Sequence, residues 1–294
     1  MFESLQEIVE NAERTQKSLA ELVIDAEKLT SGLPTEDIRA RMLKRLQTMQ
    51  HSAQEGLDRP IKSISGISGG SAHKFWNWLD ENENVPVTGS ILSRAIARAL
   101  AVNEVNAGMG CIVATPTAGS AGILPAALIT LQEEYRFSDD QIVDALFVAS
   151  GIGMVVVNRA NVSGAMGGCQ AETGSAAAMA AGASVALLGG SPCQSMQAVG
   201  ITLKNMLGLV CDPVAGLVEV PCVKRNAAGV AQCFVAIDLA LAGVESIIPA
   251  DEVIDAMAHI GKVMHKDLKE TGLGGLAATP TGRRLAKQVW EGDV

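Results

Sequence analysis

Glu172-Thr-Gly-Ser-Ala-Ala-Ala-Met-Ala-Ala-Gly-Ala-Ser-Val-Ala-Leu-Leu188 is the stretch on which the fold turns. It lacks the period-two alternation of a half-buried strand, and its small side chains suit a helix packed closely against others. No formal charge occurs from 173 to 203, nor from 105 to 132. A membrane-spanning helix wants about 20 strongly apolar residues flanked by Lys/Arg-biased loops. Here Gly189-Gly-Ser-Pro192 and Thr115-Pro-Thr-Ala-Gly-Ser-Ala-Gly122 interrupt the uncharged runs, and no such loops flank them. Helices buried in a soluble core, outside any membrane, are the better account.

The rest of the chain agrees. Hydrophobic residues make up 48% of the 294, aromatics only 3%, so Ala, Val, Leu, Ile and Met must build the core, with 30 Gly allowing close backbone approach. Helical spacing of Leu5, Ile8, Val9, Leu19, Leu22 and Val23 predicts a helix over 4–31, ended by Ser31-Gly-Leu-Pro34. Thr35 is the expected N-cap of a charged helix to about Leu57. Further helices are expected through Phe75–Leu79, near 90–107, at 123–135, from Ser138 to Val157, and at 172–188, 193–208, 226–242, 250–270 and 281–290. Val155–Val157 and Val218–Val220 are too short to found a sheet. The expected class is all-α: a helical domain over 59–294 behind an N-terminal helical extension, 1–58.

The net charge of −9 argues against nucleic acid, which needs Lys/Arg to neutralise phosphates. Met1-Phe-Glu-Ser-Leu-Gln-Glu7 has no basic, then apolar, signal pattern, so a cytoplasmic chain with its six cysteines reduced is expected. Cys169, Cys211 and Cys222 each sit at a glycine- or proline-marked break and belong to no C-x-x-C pair. Thiolates on irregular backbone can converge on one metal centre, and three of them leave a coordination position open for substrate. Cys111, Cys193 and Cys233 read as small hydrophobes, with Cys193 the alternative fourth ligand. Two Ser/Thr/Gly loops, 63–71 and 115–122, each precede a helical pattern, where backbone N–H groups favour anions. Neither ends in the Gly-Lys-Ser/Thr of a P-loop, so a carboxylate suits them better than a nucleotide. Of the four histidines, His51, His73, His259 and His265, only His73 adjoins such a loop.

Five segments carry a resemblance. They are Ser63-Ile-Ser-Gly-Ile-Ser-Gly-Gly70, Ala114-Thr-Pro-Thr-Ala-Gly-Ser-Ala-Gly-Ile-Leu-Pro125 and Ser163-Gly-Ala-Met-Gly-Gly-Cys-Gln-Ala-Glu172. Cys211-Asp-Pro-Val-Ala-Gly-Leu-Val-Glu-Val-Pro-Cys222 with Arg225-Asn-Ala227, and Lys269-Glu-Thr-Gly-Leu-Gly-Gly-Leu-Ala277, complete the set. The chain resembles the alpha subunit, or catalytic half, of the iron–sulfur-dependent bacterial L-serine dehydratases. The resemblance implies a largely helical catalytic half in which Cys169, Cys211 and Cys222 hold a [4Fe–4S] cluster with one iron free of cysteine. That iron would act as Lewis acid toward the hydroxyl of L-serine while a base takes the Cα proton. The enamine formed would end as pyruvate and ammonia, without pyridoxal phosphate. Ser65, Ser68, Gly69 and Gly70 of one loop, and Thr115, Thr117, Gly119 and Ser120 of the other, would hold the substrate carboxylate and amino group. One-chain family members begin with a domain carrying Gly-Pro-Ser-Ser-Ser-His-Thr, which is missing here, so a separate beta subunit is expected and the base could lie on it. His73 is this chain's own candidate by proximity. The second loop departs from the family by reading Ala118-Gly-Ser where Asn-Gly-Ala is common.

Overall fold

The computed structural model describes residues 2–81 and 84–292. Its first helices are α1 (Leu5–Thr15), α2 (Leu19–Ser31), α3 (Thr35–Asp58), α4 (Ser71–Asp80) and α5 (Gly89–Ala107). Then come α6 (Ile123–Tyr135), α7 (Asp139–Ala160), α8 (Gly164–Gly167) and α9 (Ser175–Leu187). The chain closes with α10 (Pro192–Met206), α11 (Cys222–Leu241), α12 (Ala250–Val263) and α13 (Pro280–Glu291). Among the described residues the only bridges are isolated, Lys62–Gly69 and Cys211–Lys269, so the protein is all-α.

The alanine-rich α9 lies at the centre, buried from Ser175 to Val185 and packed by α6, α7, α10 and α11. Gly182 shows why the sequence is so small there. A Cβ at that position would come within 2.5 Å of Ile152 on α7 and 2.9 Å of Val199 on α10. Backbones this close trade bulky side chains for dense packing. One described helix, α7, is long and apolar enough to cross a membrane by length and composition. Most of its apolar side chains, Ile142, Leu146, Ile152 and Val156 among them, are buried in the core that α2 and α9 share with it, while Val157 is exposed. Leu5, Ile8, Val23, Leu46 and Met49 of α1–α3 join the same continuous core.

Several helix boundaries differ from the sequence expectation: the helix expected over 226–242 begins at Cys222, Pro34 rather than Thr35 sits at the N-cap of α3, and three others have a clear local reason. The single helix over 4–31 is two, broken by Gln16 in the left-handed conformation and restarted by Ser18. The Ser18 hydroxyl accepts from the Glu21 amide at 3.2 Å while Glu21 accepts from the Ser18 amide at 2.8 Å, a reciprocal cap that satisfies two donors. Ser18→Ala is expected to cost about 1 kcal/mol and, on a chain of this size, to lower Tm by roughly 2 °C in a calorimetric scan. The helix over 172–188 opens with a wide π-type turn, Gln170–Gly174. Buried Gln170 props it, donating to the Gly167 and Met257 carbonyls at 2.9 and 3.0 Å and accepting from the Gly208 amide at 2.8 Å. The helix over 250–270 ends at Val263, because residues 268–270 pair with the backbone of Cys211 instead: its amide donates to the Leu268 carbonyl (2.8 Å), and the Glu270 amide donates to its carbonyl (2.7 Å).

Candidate active site

The three cysteines come from three different supports. Cys169 follows the Gly167–Gly168 turn and leads into the π-type turn; Cys211 lies in the loop after α10; Cys222 is the first residue of α11. Cys169 and Cys211 are buried, Cys222 partly so. The Cys169 sulfur lies 2.9 Å from the Thr173 hydroxyl, and the Cys211 thiol faces the Glu172 carboxylate at 3.8 Å. Arg225, one turn into α11, pairs with buried Asp212 at 2.8 Å and donates to the Val210 carbonyl at 2.8 Å. Its charge also acts favourably on Cys169.

Burial, and then the charge of Glu172 and of the other two cysteines, push the Cys211 thiol far up. Burial and then Cys169 push Cys222 up to about 12. Burial likewise raises Cys169, against its bond to Thr173. Burial thus disfavours the thiolate at all three positions, and a bound metal ion is the kind of charge that reverses this.

Glu172 forms one wall of this pocket. Thr117 donates to it at 2.7 Å, while burial raises its pKa. Ligand atoms of Glu172, Cys211 and Glu270 lie within 4.8 Å of one another. Gly164 at the start of α8 packs tightly against both groups: a Cβ there would stand 2.5 Å from the Glu172 carboxylate and 3.0 Å from the Cys211 sulfur.

The two Ser/Thr/Gly loops flank the cysteines, each held by buried side chains. Asn103 and Asn226, both fully buried, clamp the second loop by donating to the Gly119 carbonyl (3.1 and 2.7 Å) and accepting from the Gly122 amide (3.1 and 3.0 Å). Thr115 and Ser120 are buried within it, the Ser120 hydroxyl donating to the Thr115 carbonyl at 3.3 Å. In the first loop Ser65 and Ser68 both donate to one oxygen of Glu219 at 2.9 Å. Gly69 and Gly70 have φ of 139° and 71°, and a Cβ at Gly69 would strike the Ile61 carbonyl at 2.2 Å. The amides opening α4, at Ser71 and Ala72, are taken by the buried carboxylate of Glu104, at 2.7 and 3.1 Å. The anion at that helix start is therefore the protein's own. Glu219→Ala leaves both serine hydroxyls without their charged acceptor; the expected loss is about 2 kcal/mol, with hydrogen exchange over 63–70 faster than in the parent while the α9 core keeps its protection.

His73 lies on α4, its Nδ1 2.7 Å from the Leu57 carbonyl and its Nε2 3.0 Å from the Asn77 amide nitrogen, so both ring nitrogens are engaged away from the sulfurs. Cys193 is exposed on α10, in a groove with Leu5 and Asp251, and Cys111 is exposed after α5. Cys233 is fully buried in the core.

A profile of the serine dehydratase alpha chain family matches residues 8–277. The chain belongs to this family. A probable L-serine dehydratase alpha chain of Bacillus subtilis is 49% identical over the whole chain and 97% of the relative. The L-serine dehydratase alpha chain of Peptoniphilus asaccharolyticus is 42% identical over the full length of both. A probable L-serine dehydratase alpha chain of Latilactobacillus sakei is 55% identical over 69% of this chain and 98% of its own.

In this serine dehydratase alpha-chain fold, sequence reasoning missed the carboxylates Glu104, Glu172, Glu219 and Glu270, and the Asp212–Arg225 pair. One signal was present. Glu172 is the last charge before the uncharged run of 173–203, immediately beside a cysteine motif.

Proposed function

We propose that the chain is the alpha subunit of an L-serine dehydratase, converting L-serine to pyruvate and ammonia. The family match over residues 8–277, together with Cys169, Cys211 and Cys222 buried or partly buried and Cys211 facing Glu172, carries this reading. The donor set fits an iron–sulfur cluster. Three thiols come from separate supports and share one charge environment, with Glu172 against Cys211. Cys169, Cys211 and Cys222 would hold a [4Fe–4S] cluster, and Cys193, on its own groove, would hold none of it. When bound, the cluster supplies Lewis acidity toward the substrate hydroxyl from an iron without a cysteine.

The chain's own groups have distinct tasks. Glu172 and Glu270, flanking Cys211, suit the ammonium end of serine, and Thr117 fixes the Glu172 carboxylate in place. The second loop, whose Gly119 lies against Glu172, is the nearer of the two to a substrate held there, while the Gly70 amide is spent on the Ile61 carbonyl. Ser65, Ser68, Thr115 and Ser120 hold the loops in shape, since their hydroxyls bond within the protein. With both ring nitrogens of His73 engaged by Leu57 and Asn77, the base that takes the Cα proton is assigned to the beta subunit. A beta subunit completes the enzyme in the cytoplasm.

Anaerobic purification with and without the co-expressed partner tests the proposal. The expected result is iron and acid-labile sulfide in equal amounts, and pyruvate from L-serine without added pyridoxal phosphate. A protein prepared this way that holds a single metal and no sulfide would return the site to Glu172, Cys211 and Glu270 as ligands of one ion. Iron and sulfide without pyruvate from serine would sink the activity while leaving the cluster.

A further inference from the structure

Away from the cysteines, α2, α3 and α7 enclose a cavity of about 390 Å³. This is within the size range of small-molecule sites, which are concave, mostly apolar and carry a few placed polar groups. Its walls are apolar: Met42, Met49, Met154, Met179 and Phe147 line it. Methionine side chains reshape readily around an irregular aliphatic guest.

The rim has a different chemistry. Arg41 and Arg45, successive turns of α3, both reach it, and neither forms an ion pair among the described residues. Their neighbour Arg39, by contrast, is committed to Asp140 and Asp144. Glu27 is the one carboxylate on the rim, so the mouth carries net positive charge. An apolar pit beneath two guanidinium groups without an ion-pair partner, Arg45 donating only to the Arg41 carbonyl at 3.3 Å, is complementary to a molecule with an aliphatic tail and an anionic head. A carboxylate matches the guanidinium fork in shape as well as charge.

We propose that this cavity binds a medium-chain aliphatic carboxylate, tail among the methionines and head between Arg41 and Arg45. The site is separate from the cysteine pocket but touches it indirectly. Thr115 and Pro116 form part of the cavity wall, and Thr117, next in the chain, holds Glu172.

Octanoate is the probe, titrated into the full chain by calorimetry, with octanol as the neutral control and octylamine as the cationic one. Saturable octanoate binding is expected, tighter than octanol and much tighter than octylamine. Arg41→Ala with Arg45→Ala, both exposed, should weaken octanoate about tenfold, or 1.4 kcal/mol, and leave octanol within about twofold. Met154→Trp, which fills the cavity, should remove binding of both, with Tm reporting that the variant is folded. No saturable octanoate binding, or an unchanged affinity in the double arginine variant, overturns the proposal. So does loss of binding in the complex with the co-expressed partner, which would assign the cavity to a subunit interface.

Discussion

Cys211→Ser is expected to abolish serine turnover, by at least about 10³-fold, since Lewis-acid activation is worth several kcal/mol and each 1.4 kcal/mol is a factor of ten. Serine keeps the size of cysteine, so packing around the position changes little. The oxygen is nonetheless a poor ligand for cluster iron, and the Glu172 carboxylate 3.8 Å away then faces a hydroxyl where it faced a thiol. Cys169→Ser and Cys222→Ser should give the same loss of iron and sulfide, because the proposed cluster needs all three thiols. Cys193→Ala should keep cluster and activity, as that residue is exposed on a different groove. Iron and sulfide assays on the four variants decide the matter. Full cluster content in any one of the three buried-site variants, or loss of cluster in Cys193→Ala, contradicts the assignment.

Arg225→Ala is expected to give the largest loss of stability. Asp212 is buried beside it, and removing the guanidinium leaves a carboxylate with only the Leu276 amide (2.7 Å) as a strong donor. Stranding one partner of a buried ion pair costs about 3–5 kcal/mol, here roughly a 10 °C fall in Tm. Arg225 also holds the Val210 carbonyl, so the backbone leading into Cys211 loosens with it. Arg225→Lys should recover part of the loss, because the charge returns without the second donor arm. Combining Arg225→Ala with Asp212→Asn should cost less than the two single changes summed, since no charge is then left stranded. A Tm unchanged in Arg225→Ala would show that the pair contributes nothing.

Local chemistry made much of the fold legible. Ser138 caps α7 as its sequence suggests, accepting from the Gln141 amide while Gln141 reaches back to it. The interruption by Ser/Thr/Gly at 115–122 and the start of α6 at Ile123 were equally local. Gln16 carried no such mark: nothing in its type announces a left-handed residue, so two helices read as one. The π-type turn at Gln170–Gly174 depends on Gly208 and Met257, distant in sequence, and periodicity cannot report it.

The same contrast divides the site. Cysteines announce themselves by type, because few uses explain three of them at glycine and proline breaks. Glutamates do not, since most are solvated surface residues. Glu219 and Glu104 acquire their roles only when Ser65, Ser68 and the amides of α4 are folded against them. Asn103 and Asn226 meet at Gly119 and Gly122 only after α5 and α11 have packed together.

The pairing of Cys211 with residues 268–270 has a consequence for biosynthesis. On the ribosome, Cys169 and Cys211 emerge well before the segment that fixes Cys211 in place. Until residues 268–270 have been made, the backbone of Cys211 lacks both of its partners there, the Leu268 carbonyl and the Glu270 amide. Premature termination before Leu268 would yield a protein whose helical core folds but whose cysteine pocket never closes.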